Sequence, residues 1–365
     1  MKSTFNEYYR PTDDEFDNLW NNCEFVFDAN VLLNFYRYSS ETSRKLFDIL
    51  EEIQNRIWIP HQAALEYQKN RHNAIENAEN VYNEVIKKLE NKAIIKFLKE
   101  NPRHPFIDSE ALILKIEQFY AKLKSELEAL RTDYPNSISK DDYRDTITRI
   151  FDGRVGEECS KEDLNKIYNE GKQRFANEIP PGFEDKNKPG NQKYGDLVLW
   201  HQIMKHAKLK QKPIIFITDD SKNDWWLKRK NGGKISPHPS LIKEIQVKAN
   251  ISFYMYTSDM FMKNVNKYLH MDINEKSIQE IKNVQHDILL DERRAEMEAD
   301  PEYWEVMAEA AEAEAEYWEA MAEAEAERRA EMEADPEYWE VMAEAEAERR
   351  AEMEADSEYK EDEDI

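Results

Sequence analysis

Three acids crowd into the stretch IIFITDDSKNDWW, residues 214–226: Asp219, Asp220 and Asp224. Like charges this close raise one another's pKa unless a cation sits between them, so the grouping points to a hard divalent metal held by oxygen ligands. Capping is the competing explanation, because Asp and Asn are favoured at helix starts and one Asp between a strand and a helix needs no other role. Two adjacent Asp with a third four residues on go beyond a cap, and acids in similar settings recur elsewhere. Asp28 closes the apolar run EFVFD ahead of Ala29, Asn30 and the apolar Val31, Leu32 and Leu33. Asp196 opens the helical pattern KYGDLVLWHQIMKH, where the helix dipole tolerates negative charge. Glu66 looks inward among Ala63, Ala64 and Tyr67, an uncomfortable place for a carboxylate without a cation. Taken singly, Asp28 and Asp196 read as caps and Glu66 as an exposed helix residue with Lys69 at i, i+3.

The elements that must position these acids alternate between strand and helix. Ile214 to Ile217 follow Pro213 with no polar residue in the run, the pattern of a short buried parallel strand. Thr218, Asp219 and Asp220 then fall at its carboxyl end, where open α/β sheets bind their ligands. A helix starting near Ser221 would bring Asp220 and Asp224 to one side of its first turn. Glu24 to Asp28 repeats the strand-then-acid arrangement, and Arg56 to Ile59 reads as a further strand closed by Pro60. Ser40 to Ile53 is an amphipathic helix, and another begins at His61. Asn73 to Leu98 and Ser109 to Leu130 are long helical patterns separated by Pro102 and Pro105, an antiparallel pair inserted into the α/β domain. Between Gly153 and Gly190 the Gly and Pro punctuation, with RFANEIPPGFEDKNKPG, reads as a lid or binding loop. The helix Lys193 to His206 packs Leu197, Val198, Trp200, Ile203 and Met204 on the sheet, and its His201 and His206 read as surface or groove residues. A helix over 241–249, a last strand over 251–256 and a closing helix over 260–269 complete a largely parallel sheet with helices on both faces.

The net charge of -25 conceals a division. Residues 291–365 carry 31 acidic and 7 basic residues, a net of -24, so the remaining 45 acidic and 44 basic residues leave the first 290 positions at -1. The low pI therefore describes the tail and does not exclude a nucleic-acid partner for the body. Trp225 and Trp226 are followed by Lys228, Arg229, Lys230 and Lys234, and cations beside Trp next to an acidic pocket suit a phosphate backbone. A solvated turn around Gly232 and Gly233 accounts for the same residues. Arg174 and Lys186 in the Pro-rich loop and Lys222 among the acids join them as expected nucleic-acid contacts. Cys23 and Cys159, with no CxxC spacing, indicate neither a disulfide framework nor a zinc site and fit a reducing cytoplasm. No signal-peptide core or membrane span is legible, so no membrane partner is expected.

The tail repeats itself. Met297, Met332 and Met353 recur at spacings of 35 and 21, both multiples of seven, in a background of Ala, Glu, Met and Arg that favours helix. Trp304, Met307, Ala308, Ala311, Ala315, Trp318 and Met321 form one stripe. Such a tail is a solvated acidic appendage, a mimic of the phosphate backbone that occupies the basic groove, a surface for a protein partner, or a seam for self-association.

In order and context the acids resemble the PIN-domain nuclease family. FDANVLL, the Glu in HQAALEYQKNR, RFANEIPPGF, KYGDLVLW and ITDDSKNDWW followed by PHPSLIKE are similar to its PIN-like subfamily, marked by a TDD...DWW motif, over most of residues 20–270. The resemblance implies a parallel sheet whose carboxyl edge gathers acids around Mg2+ or Mn2+, and hydrolysis of phosphodiester bonds in RNA or DNA. It places the catalytic, metal-holding acids at Asp28, Glu66, Asp196 and Asp219, with Asp220 and Asp224 as further ligands or orienting residues. One or two hard cations about 4 Å apart can activate water and stabilise the departing oxygen without a protein nucleophile. The organisation expected is a PIN-like domain over 1–270 with its helical insertion at about 73–190, a linker helix over 271–290, and the acidic tail over 291–365. A bacterial toxin or defence effector is the setting the resemblance implies; a non-catalytic scaffold for nucleic acid or protein is the rival.

Overall fold

The structure, a computed structural model, describes residues 1–90, 92–133, 140–230 and 232–334. These fall into two compact units, Met1–Leu289 and Leu290–Ile365. The strands of the first unit are β1 (Glu24–Phe27), β2 (Ile57–Trp58), β3 (Ile214–Ile217), β4 (Trp226–Lys228), β5 (Lys234–Pro237) and β6 (Phe253–Tyr256). Its helices are α1 (Asp13–Asn22), α2 (Ala29–Leu33), α3 (Ser40–Glu52), α4 (His61–Glu90), α5 (Ala93–Glu100), α6 (Ser109–Asp133), α7 (Asp142–Phe151), α8 (Lys161–Ala176), α9 (Gly195–Lys210), α10 (Pro239–Ala249) and α11 (Ser258–Tyr268). Helix α12 covers Glu275–Glu298, and α13 covers Pro301–Ala334.

Four strands form one parallel sheet in the order β2-β1-β3-β6. Val26 lies opposite Phe216, and Ile217 opposite Tyr256, so the strands end almost level. Every residue of β3 is buried, which is why its sequence shows no polar alternation. Because all four strands run the same way, Asp28, Thr218 and Thr257 emerge along a single edge. Trp20 of α1 anchors the core at the other side of the chain, stacking on Tyr268 and donating its indole N–H to the Tyr256 hydroxyl at 3.2 Å. An aromatic buried that fully contributes roughly 1.5–3 kcal/mol, so Trp20→Ala would cost several times the effect of a surface change.

Helix α4 packs on α2 and α9, and α9 on α8 and α10. The helical insertion is tied to this frame by a buried ion pair: Arg71 Nη1 of α4 donates to Asp141 Oδ2 at 2.5 Å, and the Tyr36 hydroxyl donates to the same carboxylate. The long pattern expected over 73–98 is broken, with α4 ending at Glu90 and Lys92 in the left-handed region at φ 35° before α5.

Two local expectations need correction. No helix starts at Ser221; residues 221–225 turn into the antiparallel β4–β5 hairpin, because Trp225 and Trp226 are both buried and pin the chain on the core. The stretch read as an irregular loop contains α8, started by Ser160, whose hydroxyl accepts the Asp163 N–H. His201 and His206, expected at the surface or in a groove, line one groove with Trp58: His206 stacks on Trp58 at 3.8 Å and shares a 2.5 Å hydrogen bond with Glu24, while His201 is half-buried beside Glu170.

In the second unit α13 exposes Trp304 and Trp318 along its length. The repeats expected beyond residue 334 lie outside the described residues. No helix of the described residues is long and apolar enough to cross a membrane.

Candidate active site

Asp28 sits where β1 gives way to α2 and caps that helix, accepting the Ala29 N–H on Oδ1 at 2.7 Å. Its Oδ2 accepts the Thr218 hydroxyl at 2.7 Å and the Asn30 amide at 3.0 Å. Asn30 also donates to Thr218 Oγ1 and accepts the Asp219 N–H at 3.0 Å, so one side chain straps the end of β1 to the end of β3. The cap reading of Asp28 is therefore correct: the cap uses Oδ1, and Oδ2 is turned to Thr218 and Asn30.

Glu66 on α4 and Asp196 in the first turn of α9 approach the same place. Gly195 permits it: a Cβ there would stand 3.2 Å from Glu66 Oε1. Gly182, at φ 94°, lets the Pro-rich loop pass as close, since its Cβ would lie 3.3 Å from that of Asp196. Asp220, after β3, completes the group. Burial pushes Asp28 up to about 8, against the Thr218 hydrogen bond and with help from Glu66, Asp196 and Asp220. Burial also raises Glu66 against the amide of Gln62, and raises Asp196 against Lys222.

In the midst of these acids lies a cation of the chain itself. Lys222 Nζ is 2.9 Å from Asp220 Oδ2, 3.1 Å from Asp196 Oδ2 and 3.1 Å from Asp185 Oδ1. Burial alone would lower this amine, but Asp196, Asp220 and Asp185 hold it well above the ordinary lysine range. Asp185 was missed as a site residue. In the sequence it makes an i, i+3 pair with Lys188, the look of a solvated surface turn, and that 2.6 Å contact exists alongside its buried one.

Asp219 and Asp224 go elsewhere. Both Asp219 oxygens are engaged: Ser258 N and Gln285 Nε2 donate to Oδ1 at 2.8 and 2.6 Å, and Ser258 Oγ and Asn34 Nδ2 donate to Oδ2 at 2.8 and 2.9 Å. Asp224 is fully buried, and its Oδ2 accepts the Gly182 N–H at 2.6 Å. Its Oδ1 has no partner among the described residues, and burial, with Asp196 and Asp220, pushes the group up to about 7.

The expected phosphate contacts separate too. Arg174 is not available to a phosphate: it is buried, its guanidinium bonded to both oxygens of Glu244 at 2.8 Å, to Glu170 at 3.0 Å and to the Pro180 carbonyl. Lys234 turns inward, its Nζ over the Trp226 ring and 3.1 Å from the Asp220 carbonyl, and burial lowers it to about 8. Lys186, Arg229 and Lys230 are exposed and Lys228 is half-buried. Arg229 and Lys234 join Tyr8, Tyr9, Arg10 and Tyr254 around a cavity of about 640 Å³ beside β6, a mixture of cations and aromatic faces.

Among the described residues no three acidic, His or Cys side chains stand in a metal-binding arrangement as they are. The donor set nevertheless fits a hard divalent cation. The acids are all oxygen donors, burial raises Asp28, Glu66 and Asp196, and an ammonium already stands among Asp185, Asp196 and Asp220.

A family model described as a PIN like domain matches residues 24–241, more than half of the chain and the span that holds every acid of the cleft. No curated protein and no solved structure matches the chain.

Proposed function

The chain belongs to the PIN-like domain family, and from that premise we propose that it hydrolyses phosphodiester bonds of RNA or DNA with Mg2+ or Mn2+ bound in the acidic cleft. The observation that carries this reading is the approach of Asp28, Glu66, Asp196 and Asp220, from four separate segments, to one small volume at the carboxyl edge of the sheet. Asp28, Glu66 and Asp196 would hold the ion, with Asp220 beside them bonded to Lys222. A bound divalent ion supplies water activation and charge neutralisation at the scissile phosphate.

The chain's own side chains do the rest. Thr218 and Asn30 orient Asp28, and Gln62 orients Glu66 through a 2.6 Å hydrogen bond. Asp219, expected as a ligand, in this reading fastens the end of β3 to α11 and α12, and Asp220 receives the Lys222 ammonium. Arg229, Lys230 and Lys186 supply the exposed positive charge that meets the backbone of the polymer.

The test is incubation of the full chain with labelled RNA and DNA, single- and double-stranded, with Mg2+, with Mn2+ and with a chelator. Metal-dependent shortening of at least one polymer, lost in Asp28→Asn, is expected; binding without cleavage in every arm would instead establish the scaffold reading. A toxin or defence effector is the biological setting we favour. For the acidic tail we propose an interaction surface, either for a partner or for another copy of the chain. Removing residues 291–365 should then change the sedimentation of the chain or raise its affinity for nucleic acid at low salt, and no change in either dismisses it.

A further inference from the structure

We propose that the Lys222 ammonium fills one of two cation positions in the acidic cleft, so that the chain takes up one divalent ion rather than two. The inference rests on the metal-dependent reading above. An ammonium has three donors, and Lys222 Nζ has three carboxylate partners, Asp220, Asp196 and Asp185, all within 3.1 Å. That is the environment of a bound cation, supplied by the chain.

The side chain is not loosely draped there. Lys222 N donates to Asp220 Oδ1 at 2.8 Å, so the backbone that carries the ammonium is bonded to the same carboxylate that receives it. The Asp220 carbonyl is held in turn by the indole of Trp226 at 2.7 Å and by Lys234 at 3.1 Å. Asp185 keeps its second oxygen on Lys188. The donors that a second ion would need on this side, both oxygens of Asp220 and both of Asp185, are therefore already occupied by nitrogen.

On the other side the supply of oxygen remains. Glu66 Oε2 and Asp196 Oδ1 accept no hydrogen bond from the described residues, and Asp28 adjoins them electrostatically. That set suffices for one hard cation completed by water, as carboxylate sites for magnesium commonly are. Lys222 thus acts as a positioning residue: it neutralises and spaces Asp185, Asp196 and Asp220, and leaves Asp28, Glu66 and the outer oxygen of Asp196 to the ion.

The count of ions decides it. The metal-free full-length chain is titrated with Mn2+ at physiological ionic strength while free Mn2+ is followed by electron paramagnetic resonance. An Asp28→Asn, Asp196→Asn double variant gives the background taken up by the acidic tail. One specific ion per chain is expected for the wild type and for Lys222→Arg, and two for Lys222→Gln. Two ions in the wild type overturn the proposal whatever the variants do, and so does a single ion of unchanged affinity in a Lys222→Gln chain whose circular dichroism is native. If Lys222→Gln does not fold, Asp185→Asn serves in its place: it removes a partner of the ammonium only, and loss of the single ion there would overturn the assignment of donors. No specific ion in the wild type removes the metal-dependent reading itself, a result distinct from either failure.

Discussion

Helix α9 sends two side chains, one turn apart, into two clusters of buried charge that are built on opposite terms. Trp200 joins the first, where Arg174 grips Glu244 in a bidentate pair and Glu170 and Lys248 flank it. Against burial, the hydrogen bonds from Arg174, Lys248 and Trp200 hold Glu244 down to about 2. Asp196 joins the second, where burial raises Asp28, Glu66, Asp196 and Asp224 and one lysine stands among them. The first cluster has a cation or donor for nearly every acid oxygen and so holds the fold together. The second has more acid than the chain neutralises, an arrangement that costs stability and is retained where a ligand completes it.

The sharpest way to break the comparison is to unbalance the first cluster. Arg174→Ala leaves Glu244 buried without its partner and should destabilise the chain by about 3–5 kcal/mol in a denaturant titration, while Mn2+ uptake stays as in the wild type. Equal stability in that variant would mean that the first cluster is not structural. The mirror experiment removes charge from the second. Asp28→Asn and Asp196→Asn should lower metal-dependent cleavage by about 100-fold while lowering the melting temperature less than Arg174→Ala does. A variant that melts early would place its acid in the structural group.

Asp219 sharpens the boundary between the two kinds of acid. Asp219→Asn turns an amide toward donors that need an acceptor, and a loss of roughly 1–3 kcal/mol is expected, with cleavage reduced less than in Asp196→Asn. The reverse ranking in a cleavage assay would return the ligand role to Asp219. The clusters should also titrate with opposite sign. Asp28 and Asp224, pushed up to about 8 and about 7, keep protons in the folded chain that the unfolded chain releases near the ordinary carboxylate range. Their contribution is intact below that range and is lost as pH rises from it to about 7 and about 8. Glu244 contributes above its ordinary range and is lost only as pH falls towards about 2. The metal-free chain should therefore lose stability between about pH 5 and 8, less so in Asp28→Asn, and Mn2+ should restore it. Melting curves that do not vary over that interval, with or without Mn2+, would sever the link between raised acids and the cleft.

Much of this was legible in the residues, and the failures have a physical pattern. The parallel sheet followed from apolar runs without alternation, because both faces of β1 and β3 are covered. Asp28, Glu66 and Asp196 could be picked out because each is an acid in an apolar setting within its own segment. That Asp219 turns aside was not legible in that way, because Ser258 and Gln285, 39 and 66 residues further on, provide the donors for it. Arg174 was misjudged for the same reason, since its surroundings in the sequence are polar and rich in Pro while Glu244 lies 70 residues away. Lys222 looked like a hand held out to phosphate, and only the fold reveals that Asp185, from a loop that reads as surface, closes on it.

The hairpin of β4 and β5 is fastened to the back of Asp220, through the indole of Trp226 and the amine of Lys234, while its cationic tip faces outward. The Asp220 peptide is thus held from behind by two side chains of one hairpin, so the position of that acid depends on strands that contribute nothing to the parallel sheet.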